Sequence, residues 1–173
     1  AFDLNIYWTE WDNFIAAKNV FAPMYIDQPG GAVAAIAAGD YRIMSVDSNT
    51  DEVVNTYGVT AGFETSLFKL FDFSAIYEYN EMDFDNPDSD FEPGFNTPEN
   101  KYKVSLGSTK LAENFAFNVS ARYQDSFLWQ QSGFVDAMVP ACTVVDASMN
   151  FELPKIKGNI KVGATNLSGN DYM

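Results

Sequence analysis

The chain has no histidine and a single cysteine in 173 residues. Without an imidazole it lacks the usual general base, the commonest transition-metal ligand and any Ser-His-Asp triad, so hydrolysis by that route is excluded. Cys142 has no partner for an internal disulfide, and within its apolar run it reads as a small buried hydrophobe rather than a nucleophile. Basic residues are scarce, 10 against 24 acidic ones, for a net charge of −14. A surface so charged repels phosphate backbones and argues against a nucleic-acid partner. Long apolar runs are missing too. Ala32 to Ala38 is the longest small-apolar stretch, far short of the roughly 20 residues that a spanning helix needs. A secretory leader pattern is absent, and the chain opens mid-pattern at Ala1, Phe2, Asp3, so it is expected to be a mature segment or a fragment.

Against these absences stands an aromatic content of 16%, with 15 Phe and 9 Tyr, in a chain whose mean hydropathy is slightly negative. Large apolar groups are diluted by polar ones, as in a sheet with two unlike faces. The alternation is explicit from Phe115 to Tyr123: Phe115, Phe117, Val119, Ala121 and Tyr123 fall on one face, Ala116, Asn118, Ser120, Arg122 and Gln124 on the other. A strand points successive side chains to opposite sides, so this run has one apolar and one wet face.

The same period of two recurs along the chain. Phe2, Leu4, Ile6 and Trp8 oppose Asp3, Asn5, Tyr7 and Thr9 in a first strand, which is expected to continue past an irregularity at Glu10 to Asn13 toward Val20. Val59, Ala61, Phe63, Thr65 and Leu67 mark a second strand; Phe71, Phe73, Ala75, Tyr77 and Tyr79 a third, in which Ile76 breaks the polar face. Tyr102, Val104 and Leu106 mark the fourth, and the Phe115 run is the fifth. Thr143, Val145, Ala147, Met149, Phe151 and Leu153 belong to the sixth; Ile160, Val162 and Ala164 to the seventh. The connectors alternate. Short turns carry Lys69, Lys110, Lys155 and Lys157, whereas residues 21–52 and 82–100 read as long loops, the first with Pro23, Pro29, Gly30, Gly31 and Gly39 and an Ala-rich centre able to form a helical turn or two.

Dyad strands joined by turns at one rim and long loops at the other are the pattern of an antiparallel, up-and-down transmembrane β-barrel, with the long loops extracellular. In hydrocarbon every backbone polar group must be paired, so such a sheet has to close, and single-chain bacterial barrels usually have an even strand count starting at eight. The seven visible strands therefore predict either one more strand or a larger wall.

Particular segments, in order, point to the larger wall. These are Asn5-Ile6-Tyr7 with Asp12-Asn13-Phe14-Ile15; Tyr57-Gly58-Val59-Thr60-Ala61-Gly62-Phe63-Glu64; Phe95-Asn96-Thr97-Pro98-Glu99-Asn100-Lys101; Ala121-Arg122-Tyr123-Gln124-Asp125-Ser126; Val139-Pro140-Ala141 with Val145-Asp146; and Ala164-Thr165-Asn166-Leu167. Their order resembles the C-terminal barrel region of TonB-dependent outer-membrane receptors, particularly those of Bacteroidetes-like organisms. The resemblance implies a partial barrel domain over residues 1–173, without the plug, forming about a third of a wall of roughly 22 strands. It also implies the bacterial outer membrane as location and, as partners, outer-membrane lipid, the remainder of the barrel, a plug domain, TonB through an N-terminal region absent from this sequence, and a surface lipoprotein. The implied function is a share in the uptake of a nutrient, whether metal chelate, vitamin or glycan, with no enzymatic step.

Site candidates are few. Asp83, Asp85, Asp88, Asp90 and Glu92 crowd one loop, and carboxylates so placed suit a hard cation such as Ca²⁺, although Pro87 interrupts the run and the glycine of an EF-hand is missing. A solvated acidic rim is the plainer reading, and no other cofactor is expected. Glu64, Glu78, Arg122 and Asp146 fall on the polar faces and are expected to line the lumen. Trp8, Tyr77, Tyr79, Phe127 and Trp129 lie toward the long loops, where an interfacial aromatic girdle accounts for them more simply than sugar stacking. The rival architectures are a complete eight-stranded outer-membrane barrel, an adhesin or envelope anchor, which requires an eighth strand within residues 21–52 closing on the seventh, and a soluble lipocalin-like barrel with its apolar face turned inward.

Overall fold

A computed structural model describes residues 1–24, 30–50, 52–84, 91–131 and 135–170. In chain order the elements are β1 (Phe2–Trp11), β2 (Ile15–Pro23), α1 (Gly31–Ala37), β3 (Tyr41–Asn49), β4 (Val54–Leu67), β5 (Phe71–Asp83), β6 (Phe91–Glu92), β7 (Asn100–Ala112), β8 (Phe115–Gln124), β9 (Phe127–Gln131), β10 (Val135–Val139), β11 (Cys142–Leu153) and β12 (Gly158–Ala164). Seven of these form a single sheet in the order β1-β4-β5-β7-β8-β11-β12. Every neighbouring pair in it is antiparallel. It is the up-and-down meander that the alternation predicts, and among the described residues the sheet does not close, β1 and β12 standing at its two edges.

The turns at one end are tight because their residues accept left-handed backbone. Between β4 and β5, Phe68 and Lys69 have φ of 52° and 59°, and the Leu70 amide donates to the Leu67 carbonyl at 3.0 Å. Two successive left-handed residues make the type I′ geometry whose twist matches a hairpin. Asn114 (φ 62°) turns β7 into β8. A 3₁₀ turn at Pro154–Ile156, ended by left-handed Lys157, joins β11 to β12.

The opposite end holds what the sequence pattern did not disclose. The described part of 21–52 is not loop alone: β2, begun at Ile15, and β3 pair antiparallel from Ile15↔Asn49 to Pro23↔Tyr41, with α1 between them in the chain, and β6 adds to the free side of β2 through Ala17 and Lys18. The first strand does not run on toward Val20. It stops at Trp11, and Asn13, left-handed at φ 53°, turns the chain out of the sheet. Residues 127–139 likewise form a small hairpin, β9 with β10. Among the described residues no strand of the first connector pairs with β12, which the eight-stranded closure requires.

Among the described residues no second layer packs on the large sheet. The buried apolar residues among those described are Ala35, Val54 and Val144, a core far too small for a soluble domain of this length. The strands stand as one layer, and two unlike environments have to supply what a second layer would otherwise give.

Candidate functional site

The register settles which side chains share a face. Phe2, Leu4, Ile6 and Trp8 of β1 stand opposite Phe63, Ala61, Val59 and Tyr57 of β4. Across β5, β7, β8, β11 and β12 the same face continues through Ala75, Val104, Ala121, Val145, Met149 and Val162. Phe2 is 70% exposed, Ile6 69% and Trp8 66%. An apolar surface this continuous exceeds what soluble monomers leave in water and marks contact with lipid or with another apolar body. Length agrees with lipid. At about 3.4 Å per residue, the 13-residue β5 and β7 extend about 44 Å, and tilted by about 45° they rise about 31 Å, the thickness of a hydrocarbon core.

Aromatic rings bound this face in two bands of different chemistry. Toward the long connectors lie Tyr57 and Tyr79 (centroids 6.5 Å apart), then Tyr77 stacked on Tyr102 at 4.9 Å, then Tyr123, 5.9 Å from Tyr102. Their hydroxyls have polar partners at the rim: Tyr77 donates to Asn100 Oδ1 at 2.7 Å, Asn100 Nδ2 donates to Asp125 Oδ2 at 2.7 Å, and the Tyr79 hydroxyl donates to Glu81. Toward the short turns the rings are phenylalanines. Phe63 and Phe73 lie 6.5 Å apart, Phe71 and Phe117 6.4 Å, Phe115 and Phe151 5.0 Å. Rings with a polar tip suit a wet interface, and rings without one suit hydrocarbon.

The other face is polar. Small groups dominate its half nearer the turns, where Ser74 and Ser105 share a 2.7 Å hydrogen bond and Gly107, Asn118 and Ser148 help to line a trough of about 720 Å³. Charged side chains occupy the half nearer the long connectors. Arg122 Nη2 meets Asp146 Oδ2 at 2.9 Å, and Asp146 Oδ1 also accepts from the Asn166 amide at 3.0 Å. Lys101 Nζ lies 3.6 Å from Glu78 Oε2. The lysine and both acids are partly exposed and Arg122 largely so, so these pairs fix side-chain positions more than they stabilise the fold.

All four residues expected on the lumen side, Glu64, Glu78, Arg122 and Asp146, lie on this polar face. The structure joins Arg122 to Asp146, gives Glu78 a lysine partner, and leaves Glu64 apart in the trough nearer the turns. The strand pattern did not single out Lys101 and Lys103, although both occupy polar positions of β7. Ile76, the apolar exception in the polar series of β5, does sit on the polar face, directly opposite Lys103. Trp8, Tyr77 and Tyr79 belong to the apolar face, whereas Phe127 and Trp129 lie in the β9–β10 hairpin outside the sheet. Of the acidic-loop candidates, Asp83 ends β5 and Glu92 enters β6 through its backbone, while Asp85, Asp88 and Asp90 lie outside the described residues. Among the described residues no three Cys, Asp or Glu are grouped to hold a metal ion.

A protein-family model described as TonB dependent receptor-like, beta-barrel matches residues 1–167. No curated protein and no solved structure matches the chain.

Proposed function

The chain belongs to the TonB-dependent receptor β-barrel family, a family of outer-membrane transporters and receptors rather than enzymes, and we propose that it forms part of the wall through which such a receptor takes up a nutrient. In full proteins of the family a plug domain and TonB take part; here the polar face is the surface turned toward plug and solute, and the apolar face meets outer-membrane lipid. The connectors holding β2, β3, β9 and β10 face the cell exterior, and the turns at Phe68–Lys69, Asn114 and Lys157 face the periplasm. Long loops outside and short turns inside are the arrangement of bacterial barrels.

One observation carries this reading: a single-layer sheet whose exposed apolar face is bounded by aromatic bands while its opposite face holds Ser, Asn and ion pairs. A lipocalin-like barrel turns its apolar side inward, and the hydrogen bonds of Tyr77 to the Asn100 carboxamide and of Tyr79 to the Glu81 carboxylate along the border of that side suit a membrane interface better than a closed core.

The test is topological. In a Cys142→Ser background, Val33→Cys, 81% exposed in α1, is labelled by a membrane-impermeant maleimide on intact cells. Asn114→Cys is labelled only after the outer membrane is permeabilised. The reverse pattern, or recovery of the protein in the soluble periplasmic fraction, refutes the proposal.

A further inference from the structure

Two cations oppose each other on the polar face. Lys103 of β7 is in register with Arg122 of β8, and Lys101 stands two residues along on the same side. Like charges directly opposite destabilise a strand pair, and the chain has only 10 basic residues against 24 acidic, so bulk composition does not account for three cations in one patch. Carboxylates neutralise the flanks, Glu78 at Lys101 and Asp146 at Arg122. The centre is left open. The Lys103 side chain has no ion pair or hydrogen bond among the described residues, and Arg122 is held by Asp146 through Nη2, which leaves its other donors available.

The row containing this pair reads Ile76, Lys103, Arg122, Val144 across four strands. With Glu78, Lys101 and Gln124 beside them, these residues line a concavity of about 380 Å³; along the row the charge lies at the middle and an apolar side chain at each end, and the one carboxylate in the lining, Glu78, is paired with Lys101. A bare inorganic ion would use only the middle; an organic anion uses both.

We infer that this concavity binds a small organic anion, whose carboxylate or phosphate bridges the Lys103 ammonium and the Arg122 guanidinium while its carbon part lies against Ile76 and Val144. The inference rests on the reading of this face as the lumen side. A bridging anion removes the repulsion between the two cations, and arginine offers a planar fork that matches such oxygens. The solute is the occupant because Glu78 and Asp146 already serve Lys101 and one side of Arg122, which leaves the Lys103 ammonium and the remaining Arg122 donors for a group from outside.

Calorimetry on the intact receptor containing this wall, purified in detergent, uses citrate as the probe, inorganic phosphate as the bare-ion comparison and sucrose as the neutral one. Citrate is expected to bind more tightly than phosphate, and sucrose to give no heat. Lys103→Gln weakens citrate roughly ten- to a hundredfold, the effect of losing one hydrogen bond to a charged group, and Lys103→Arg keeps most of the affinity. Equal citrate affinity in wild type and Lys103→Gln overturns the inference. So does a wild-type receptor that gives no citrate heat, including the case in which Lys103→Gln lowers the unfolding midpoint because a carboxylate of the protein already fills the site. The maleimide pattern is read on the same variants. An intact pattern without citrate binding sinks this inference alone, and a reversed pattern sinks the lumen reading beneath it.

Discussion

Gly58 is the position at which one methyl group should do the most damage. It sits in β4 between Tyr7 of β1 and Asn80 of β5, and the Tyr7 ring lies flat across it so that its hydroxyl donates to Asn80 Oδ1 at 3.1 Å. The ring covers backbone that has no side chain of its own, an aromatic rescue of a strand glycine. A Cβ on residue 58 would stand 2.6 Å from Tyr7 Cε1 and 2.9 Å from Cζ, and closer still to the carbonyl oxygen of Tyr79. The ring can swing aside, but that carbonyl belongs to the β4–β5 ladder and cannot move without opening it.

Two costs combine in Gly58→Ala. Overpacking against fixed backbone costs about 1–3 kcal/mol, and eviction of Tyr7 from its hydrogen bond adds about 0.5–1.5 kcal/mol, for a total of about 2–4 kcal/mol. Urea unfolding of the receptor from phospholipid vesicles, followed by tryptophan fluorescence, reads this as a midpoint lowered by about 1–2 M at an m-value of about 2 kcal/mol/M. The double variant separates the two terms. In a Tyr7→Ala background the ring term vanishes and the backbone term stays, so Gly58→Ala still costs about 1 kcal/mol or more there. A single variant within about 0.5 kcal/mol of wild type, or full rescue by Tyr7→Ala, refutes the reasoning.

Other consequences are as direct. Val119→Arg, on the apolar face between the two aromatic bands, is expected to destabilise by about 2–4 kcal/mol in lipid, whereas Ser120→Arg on the polar face costs under about 1 kcal/mol; equal effects in the same urea assay would contradict the facing of β8. A variant keeping Trp8 as its only tryptophan should be quenched by brominated lipid and little by aqueous iodide, and one keeping only Trp129 should show the reverse. Lys69 holds φ of 59° in the β4–β5 turn, so Lys69→Gly is expected to raise stability by about 1 kcal/mol through relief of left-handed strain, seen as a higher urea midpoint.

Legibility of the sequence follows where the environment differs across the strand. From Phe115 to Tyr123 each residue falls on one of two unlike faces, which under the proposed function meet lipid and water, and that contrast is written as a period of two. The seven wall strands are readable for this reason, with the facing of Ile6, Val59, Val104 and Ile160 all as expected. In β2 and β3 that contrast is gone. On the proposed topology they lie outside the bilayer, where both faces meet water, so Ile15-Ala16-Ala17-Lys18-Asn19-Val20 carries no steady alternation and its strand reads as an extension of β1. The five residues each of β9 and β10 are too few to show one. Within the wall the opposition of Lys103 and Arg122 was equally invisible, though both were plainly polar-face residues. A slip of two residues between β7 and β8 preserves every inward and outward assignment while changing every cross-strand neighbour. The actual offset depends on the turn at Asn114 and the irregularity between Ser108 and Ala112.

Under the proposed function the unlike aromatic bands set the depth of the wall in the membrane, and with it the depth of the cations. Tyr77, Tyr79 and Tyr102 keep hydroxyls that seek water or carboxylates, which pins their end at a polar boundary. Phe71, Phe115 and Phe151 have no such handle and belong in hydrocarbon, so the opposite boundary lies beyond them, toward turns where Lys69, Lys155 and Lys157 can extend ammonium groups to headgroups along apolar stems. Sliding along the membrane normal would expose phenylalanine at one side or bury tyrosine hydroxyls at the other. With depth thus constrained, the strand register carries the constraint through the sheet: Lys103 and Arg122 follow Tyr102 and Tyr123 by one residue along their ladder, which sets them just inside the band nearest the long connectors. Under the proposed orientation a solute entering from outside meets this pair before it reaches the small-residue trough below. An attractive charge at that depth raises the local concentration of anions at the mouth of an otherwise acidic protein, where capture has to precede passage.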